Sequence, residues 1–143
     1  MSQALRQLQA DIAPADMAQA VNCLRETFGY ERFRGQQTPV IEAILRGEDV
    51  LAILPTGGGK SLCYQIPALI RPGFGLVISP LIALMSDQVQ ALEARGVRAA
   101  RMDSSLSSQE RARLWDAARD GNLDLLYLSP EGLVQPYVLD RLS

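Results

Sequence analysis

Val50-Leu51-Ala52-Ile53-Leu54-Pro55-Thr56-Gly57-Gly58-Gly59-Lys60-Ser61 is an apolar run that gives way to three glycines, one lysine and one hydroxyl. The apolar half is short enough for a buried strand. The next stretch, Leu62-Cys63-Tyr64-Gln65-Ile66-Pro67, reads as a buried helix kinked at Pro67. A strand, a glycine-rich loop ending in Gly-Lys-Ser and a helix is the setting in which successive backbone N–H groups curl around phosphate oxygens. Thr56, Gly57, Gly58 and Gly59 would form that cradle, the helix start adding its positive dipole end. Lys60 would reach the β- and γ-phosphates of ATP, and Ser61 would set its hydroxyl on Mg²⁺. The strict form of the loop has Gly where Leu54 stands, so this is not the loop of a kinase or GTPase.

Working outward, Met17, Val21, Leu24 and Phe28 recur at helical spacing after Pro14, with Gly29 at the stop. Val40, Ile41, Ile44 and Leu45 repeat the pattern before Gly47. Beyond the loop, three short apolar runs alternate with helix-like stretches: Leu76 to Ile78, Val97 to Met102, and Leu123 to Leu128. Leu81 to Arg95 reads as a helix stopped by Gly96. Ser107-Ser108-Gln109-Glu110 has the spacing of a capping box that opens a helix ended by Gly121. The alternation predicts an α/β fold, a parallel sheet with helices on both faces.

With 143 residues, 48% of them hydrophobic, the chain has material for one core, so a single domain is expected. The opening MSQALRQLQADIA lacks the basic and apolar regions of a secretory signal, and no run is long enough to span a bilayer. A cytoplasmic protein is expected, associated with the nucleoid in a bacterium, and no membrane partner. Cys23 and Cys63 lie far apart and His is absent, which argues against a zinc site or redox pair and for two buried thiols. A net charge of −2 and pI of about 5.1 give no whole-domain attraction for nucleic acid, so any such binding is local. Arg98 and Arg101 read as a solvated edge. Lys60 is the only lysine among 14 basic residues, and it falls where phosphate chemistry favours a compact ammonium.

Taken together, Phe28-Gly29-Tyr30, Phe33-Arg34, Gln37, Pro55 to Ala68, Ser79-Pro80-Leu81-Ile82-Ala83-Leu84-Met85, Asp87-Gln88-Val89 and Tyr127-Leu128-Ser129-Pro130-Glu131 resemble the RecQ family of superfamily-two DNA helicases. The resemblance runs from about residue 16 onward, and the segment from Pro55 to Ala68 is its most specific part. It implies an incomplete RecA-like P-loop NTPase lobe over 16–143, a partial helicase ATP-binding domain, with 1–15 as an N-terminal extension.

The resemblance further implies that Gln37, twenty-three residues before Lys60, reads the adenine edge while Arg34 and Tyr30 hold the base. A carboxamide donates and accepts at once, as that edge requires. Gly35-Gln36 replaces the family's usual Pro-Gly, which leaves Gln36 as an alternative reader, although the spacing to Lys60 favours Gln37. Ser79, Pro80, Leu81 and Gln88, and then Ser129 and Pro130, are implied contacts to single-stranded or partly duplex DNA, made to the backbone without regard to sequence. Ser79 and Pro80 equally suit an N-cap and first helical position, and both readings stand together. Gly132 occupies a position where these enzymes usually carry Arg, which removes one basic contact.

Hydrolysis in this class needs an Asp-Glu motif at a strand end, and no Asp-Glu pair occurs in these 143 residues. In the family that motif comes soon afterwards. The expectation is therefore the first part of an ATP-dependent 3′–5′ DNA helicase of recombination and repair, inactive by itself. Two alternatives are a related RNA helicase and a non-catalytic nucleotide-binding or interaction module derived from a helicase lobe.

Overall fold

The computed structural model describes residues 17–54 and 59–142. The extension 1–15, Pro14 and the loop positions Pro55, Thr56, Gly57 and Gly58 lie outside the described residues. The chain divides after Pro72 into two compact units.

In the first unit, α1 is helical over 17–26 and buries Ala20 and Leu24 completely, with Phe28 buried just beyond its end. α2 (Gln37–Leu45) buries Gln37, Ile41 and Leu45, and α3 (Leu62–Ile70) buries Cys63, Gln65, Ile66 and Pro67. These spacings of three and four put the buried side chains on one stripe of each helix, and α2 and α3 pack together. The Arg71 guanidinium donates to the Ile44 carbonyl at 3.2 Å, joining the end of α3 to α2. Pro67 lies inside α3 without ending it. Cys63 is buried as expected, whereas Cys23 is only half-buried.

The expected strand over Val50 to Leu54 is not formed. Leu51 is 89% exposed and Ile53 88% exposed. An apolar run becomes a strand only with a neighbour to take its N–H and C=O groups. The sheet of this structure consists of three other strands bonded to one another, and residues 50–54 have no ladder partner among the described residues.

In the second unit, β1 (Gly75–Ile78), β2 (Ala99–Met102) and β3 (Leu125–Leu128) form a parallel sheet in the order β1-β3-β2. Leu126 pairs with Leu76 on one side and Ala100 on the other. As the central strand, β3 is buried at all four positions, which is why it reads as an unbroken apolar run. Between the strands lie α4 (Ile82–Ala94), packed along β2, and α5 (Ser108–Arg119); α6 (Pro130–Leu133) and α7 (Pro136–Leu142) come after β3. Leu126 and Leu128 join Met102, Trp115, Ala118, Leu123 and Val138 in one cluster, so α5 and α7 cover that face of the sheet. Leu125 and Tyr127 point to the other face and are also fully buried. A parallel sheet of this kind with its helices is an incomplete RecA-like lobe.

The start of α5 is the expected capping box: Ser107 Oγ accepts from Glu110 N at 3.2 Å, and Ser107 N donates to Glu110 Oε2 at 3.2 Å. Gly29, Gly47, Gly96 and Gly121 all sit at positive φ at the ends of their helices. Arg98 and Arg101 lie on a solvated edge, their side chains 53% and 38% exposed, and each has a carboxylate partner there. Arg98 pairs with Asp124 at 2.8 Å and Arg101 with Asp103 at 3.5 Å.

Candidate functional site

The segment leading into α2 and the end of the glycine loop meet in the first unit. Gln37, the first residue of α2, is 4% exposed. Its Oε1 accepts from Arg34 N at 2.8 Å, and its Nε2 donates to the Gly59 carbonyl at 3.1 Å. Gly59 has φ +72, and a Cβ placed on it would lie 2.3 Å from Gln37 Nε2. Only glycine allows the loop to turn left-handed and let the amide approach this closely. The two bonds use one N–H and one lone pair of the carboxamide, so it keeps one donor and one acceptor, the pair an adenine edge requires.

Around this contact lies a cavity of about 310 Å³ bounded by Tyr30, Arg34, Gln36, Gln37, Gly59 and Leu62, with Leu24, Arg32, Gly35 and Leu54 completing it. A wider depression of about 820 Å³ shares Tyr30 and Arg32 but includes none of Gln37, Gly59 or Leu62. The smaller cavity is therefore the one joined to the loop. Gln36 is exposed and Gln37 buried. Tyr30 is 46% exposed. Sequence reasoning passed over Arg32 and Leu54, although Arg32 lies inside the segment between Tyr30 and Gln37 and Leu54 directly precedes the loop.

Lys60 is exposed, and Ser61 precedes α3 as its N-cap without a side-chain capping bond. Its hydroxyl is therefore not consumed by the helix. A hydroxyl without a capping bond, an exposed ammonium and a glycine whose absent side chain opens the turn fit a nucleotide phosphate. Burial pushes the Cys63 thiol above its ordinary value, a backbone hydrogen bond opposing it in part, so the residue beside the loop stays neutral.

The second unit brings the implied nucleic-acid residues to the carboxyl ends of its strands. Ser79 N donates to the Leu128 carbonyl at 2.9 Å, tying the ends of β1 and β3 together. Ser129 caps α6, its Oγ accepting from Gly132 N at 3.1 Å, with Pro130 in the first helical position. At Ser79 the expected cap shifts. Leu81 is the N-cap of α4, and Ser79 Oγ accepts from Leu81 N at 3.3 Å. The serine closes a turn on the backbone two residues on, and α4 begins only afterwards. Its own O–H remains as a donor. Gln88 lies further along α4 and is half-buried. Open parallel sheets hold ligands in the crevice beyond these strand ends. Here the crevice has a volume of about 430 Å³.

The sequence matches the DEAD/DEAH box helicase family over residues 34–142. It is 48% identical over 128 residues to a probable ATP-dependent DNA helicase RecS of Bacillus subtilis, covering 89% of this chain and 25% of that protein. It is 46% identical to an ATP-dependent DNA helicase RecQ of Synechocystis sp., covering 90% of this chain and 27% of the relative. With the RecQ of Haemophilus influenzae it shares 49% identity over 78% of this chain and 18% of the relative. The chain thus spans about a quarter or less of the length of these relatives. The match covers both the Gln37–Gly59 contact and the strand-end serines, and the chain belongs to the DEAD/DEAH box helicase family, with RecQ-type resemblance across most of its length.

Proposed function

We propose that this chain is the nucleotide-gripping part of an ATP-dependent DNA helicase of RecQ type, whose whole protein unwinds DNA 3′ to 5′ in recombination and repair in the cytoplasm. The observation that carries the proposal is the bond from buried Gln37 to the Gly59 carbonyl, which joins the base-reading segment to the phosphate loop across 22 residues. Gln37 would bind adenine through its remaining donor and acceptor, with Tyr30 and Arg34 holding the ring. Lys60 and the loop amides would hold the phosphates. Mg²⁺ held by the Ser61 hydroxyl would neutralise charge developing on the transferred phosphoryl group.

A nucleotide held by the loop would act on Gln37 through Gly59, so base binding and phosphate binding would reinforce each other. Ser79, Pro80, Leu81, Gln88, Ser129 and Pro130 would track one DNA strand along the carboxyl ends of the sheet, through backbone and hydroxyl contacts that do not depend on net charge. These 143 residues contain no Asp-Glu pair, so by themselves they would bind ATP without sustained turnover.

Calorimetric titration with ATP and Mg²⁺, then binding of labelled single-stranded DNA and RNA of one sequence, tests the reading. ATP binding and a preference for DNA are expected. Equal affinity for RNA would favour a related RNA helicase, and no ATP binding would overturn the assignment of the loop.

A further inference from the structure

We propose that Arg111 grips a phosphodiester of the bound DNA strand in the crevice beyond β2 and β3, a role that rests on the nucleic-acid reading above. Arg111 stands in the first two turns of α5. Its Nη2 donates to the Leu106 carbonyl at 3.0 Å, its Nη1 reaches Tyr137 Oη at 3.5 Å, and its Cζ lies 5.6 Å from the centre of the Tyr137 ring. The head is thus held in place with donors to spare. Its Nε is shielded from solvent and has no hydrogen-bond partner. Arg111 has no carboxylate within ion-pair distance among the described residues, a state it shares with other arginines such as Arg71 and Arg113, but it differs from them in lining this crevice. A half-buried cation without a carboxylate partner is costly unless an anion meets the donors left on its Nη atoms.

The same crevice is lined by Ser104, Ser129 and Gly132. At Gly132 a Cβ would lie 3.3 Å from Ser129 Oγ, a tight contact that glycine avoids. A guanidinium beside hydroxyls at the ends of parallel strands suits a phosphate oxygen. Two carboxylates, Asp103 and Glu131, also line the crevice. Asp103 is already engaged by Ser105 and by Arg101, and the Ser105 hydrogen bond is the main influence holding its carboxyl below its ordinary value. Glu131 is exposed. Their negative charge favours a ligand with one charge, a phosphodiester, over a free or terminal phosphate carrying nearly two.

The test is fluorescence anisotropy of a labelled oligothymidylate with the 143-residue chain over a series of NaCl concentrations. Arg111→Ala is expected to weaken binding about fivefold to tenfold and to flatten the slope of log K against log [salt] by about 0.7, the value for one lost phosphate contact on a single strand. Arg119→Ala should change neither. Inorganic phosphate should displace the strand no better than chloride at matched ionic strength. If a melting curve shows Arg111→Ala unfolded, Arg111→Gln carries the same expectation with the stem retained. Wild-type affinity and slope in the folded variant overturn the role of Arg111 and leave the nucleic-acid reading standing, whereas a wild-type chain that binds no oligonucleotide overturns both. Displacement by inorganic phosphate beyond the ionic-strength effect overturns the choice of a phosphodiester.

Discussion

Gly59 and Gln37 show how much a single missing side chain can decide. Gly59→Ala would put a methyl 2.3 Å from Gln37 Nε2 at φ +72. The left-handed backbone alone costs an alanine about 1–2 kcal/mol, and the amide must also leave its place. A fall in melting temperature of about 5 °C or more is expected, together with weaker ATP binding. Gln37→Ala removes both bonds, at about 0.5–1.5 kcal/mol each. Because the methyl of Gly59→Ala clashes with the Gln37 side chain, the double variant should lose less stability than the sum of the two single variants, a coupling that a double-mutant cycle of thermal melts measures. Strict additivity would mean that the two residues do not touch. Elsewhere, burial tends to raise the Asp124 carboxyl, but hydrogen bonds from the Arg98 side chain and backbone, with its charge, outweigh burial and hold it below its ordinary 3.8. A depressed carboxylate contributes stability above its unfolded value and loses it as pH falls through the folded one. Melting temperature should therefore drop as pH falls below about 4, and Arg98→Ala should lose stability at neutral pH while narrowing its gap to wild type in acid.

Among the elements, those that depend on local chemistry were legible in the sequence. The capping box at Ser107, the glycine ends of the helices and the fully apolar β3 are set by neighbours a few residues away, and each is found where the pattern puts it. Ser107→Ala should cost about 1 kcal/mol, read as a lower midpoint in urea with an unchanged slope. The features that were not legible depend on distant partners. The run Val50 to Leu54 announces a need for burial, but whether a strand forms is decided by a neighbouring ladder, which the run itself cannot encode. The inward use of the Gln37 amide rests on a carbonyl 22 residues away. Arg111 is one of 13 arginines without a motif of its own, and only the placement of Tyr137 and Leu106 singles it out. At Ser79 the local rule was sound in kind, since the hydroxyl does cap a backbone N–H, but the turn delays the helix to Ile82.

At the scale of the whole molecule, the proposed function would divide two tasks between the compact units. The first unit carries the Gln37–Gly59 contact and the cavity joined to it, and the second carries the strand-end serines and Arg111. As proposed, neither task would need a basic surface, which would reconcile a pI of about 5.1 with nucleic-acid chemistry. Central to the proposal is an ATP that Lys60 would hold at one end and Gln37 would select at the other. Competition binding with a fluorescent ATP analogue tests this division most directly, using the wild-type chain, Lys60→Ala and Gln37→Ala, with ATP and GTP as competitors. Displacement by ATP and not by GTP is expected, with loss of about tenfold or more in affinity for Lys60→Ala, and loss of the ATP-over-GTP preference for Gln37→Ala. Undiminished binding by Lys60→Ala, or equal displacement by GTP in the wild-type chain, would contradict it.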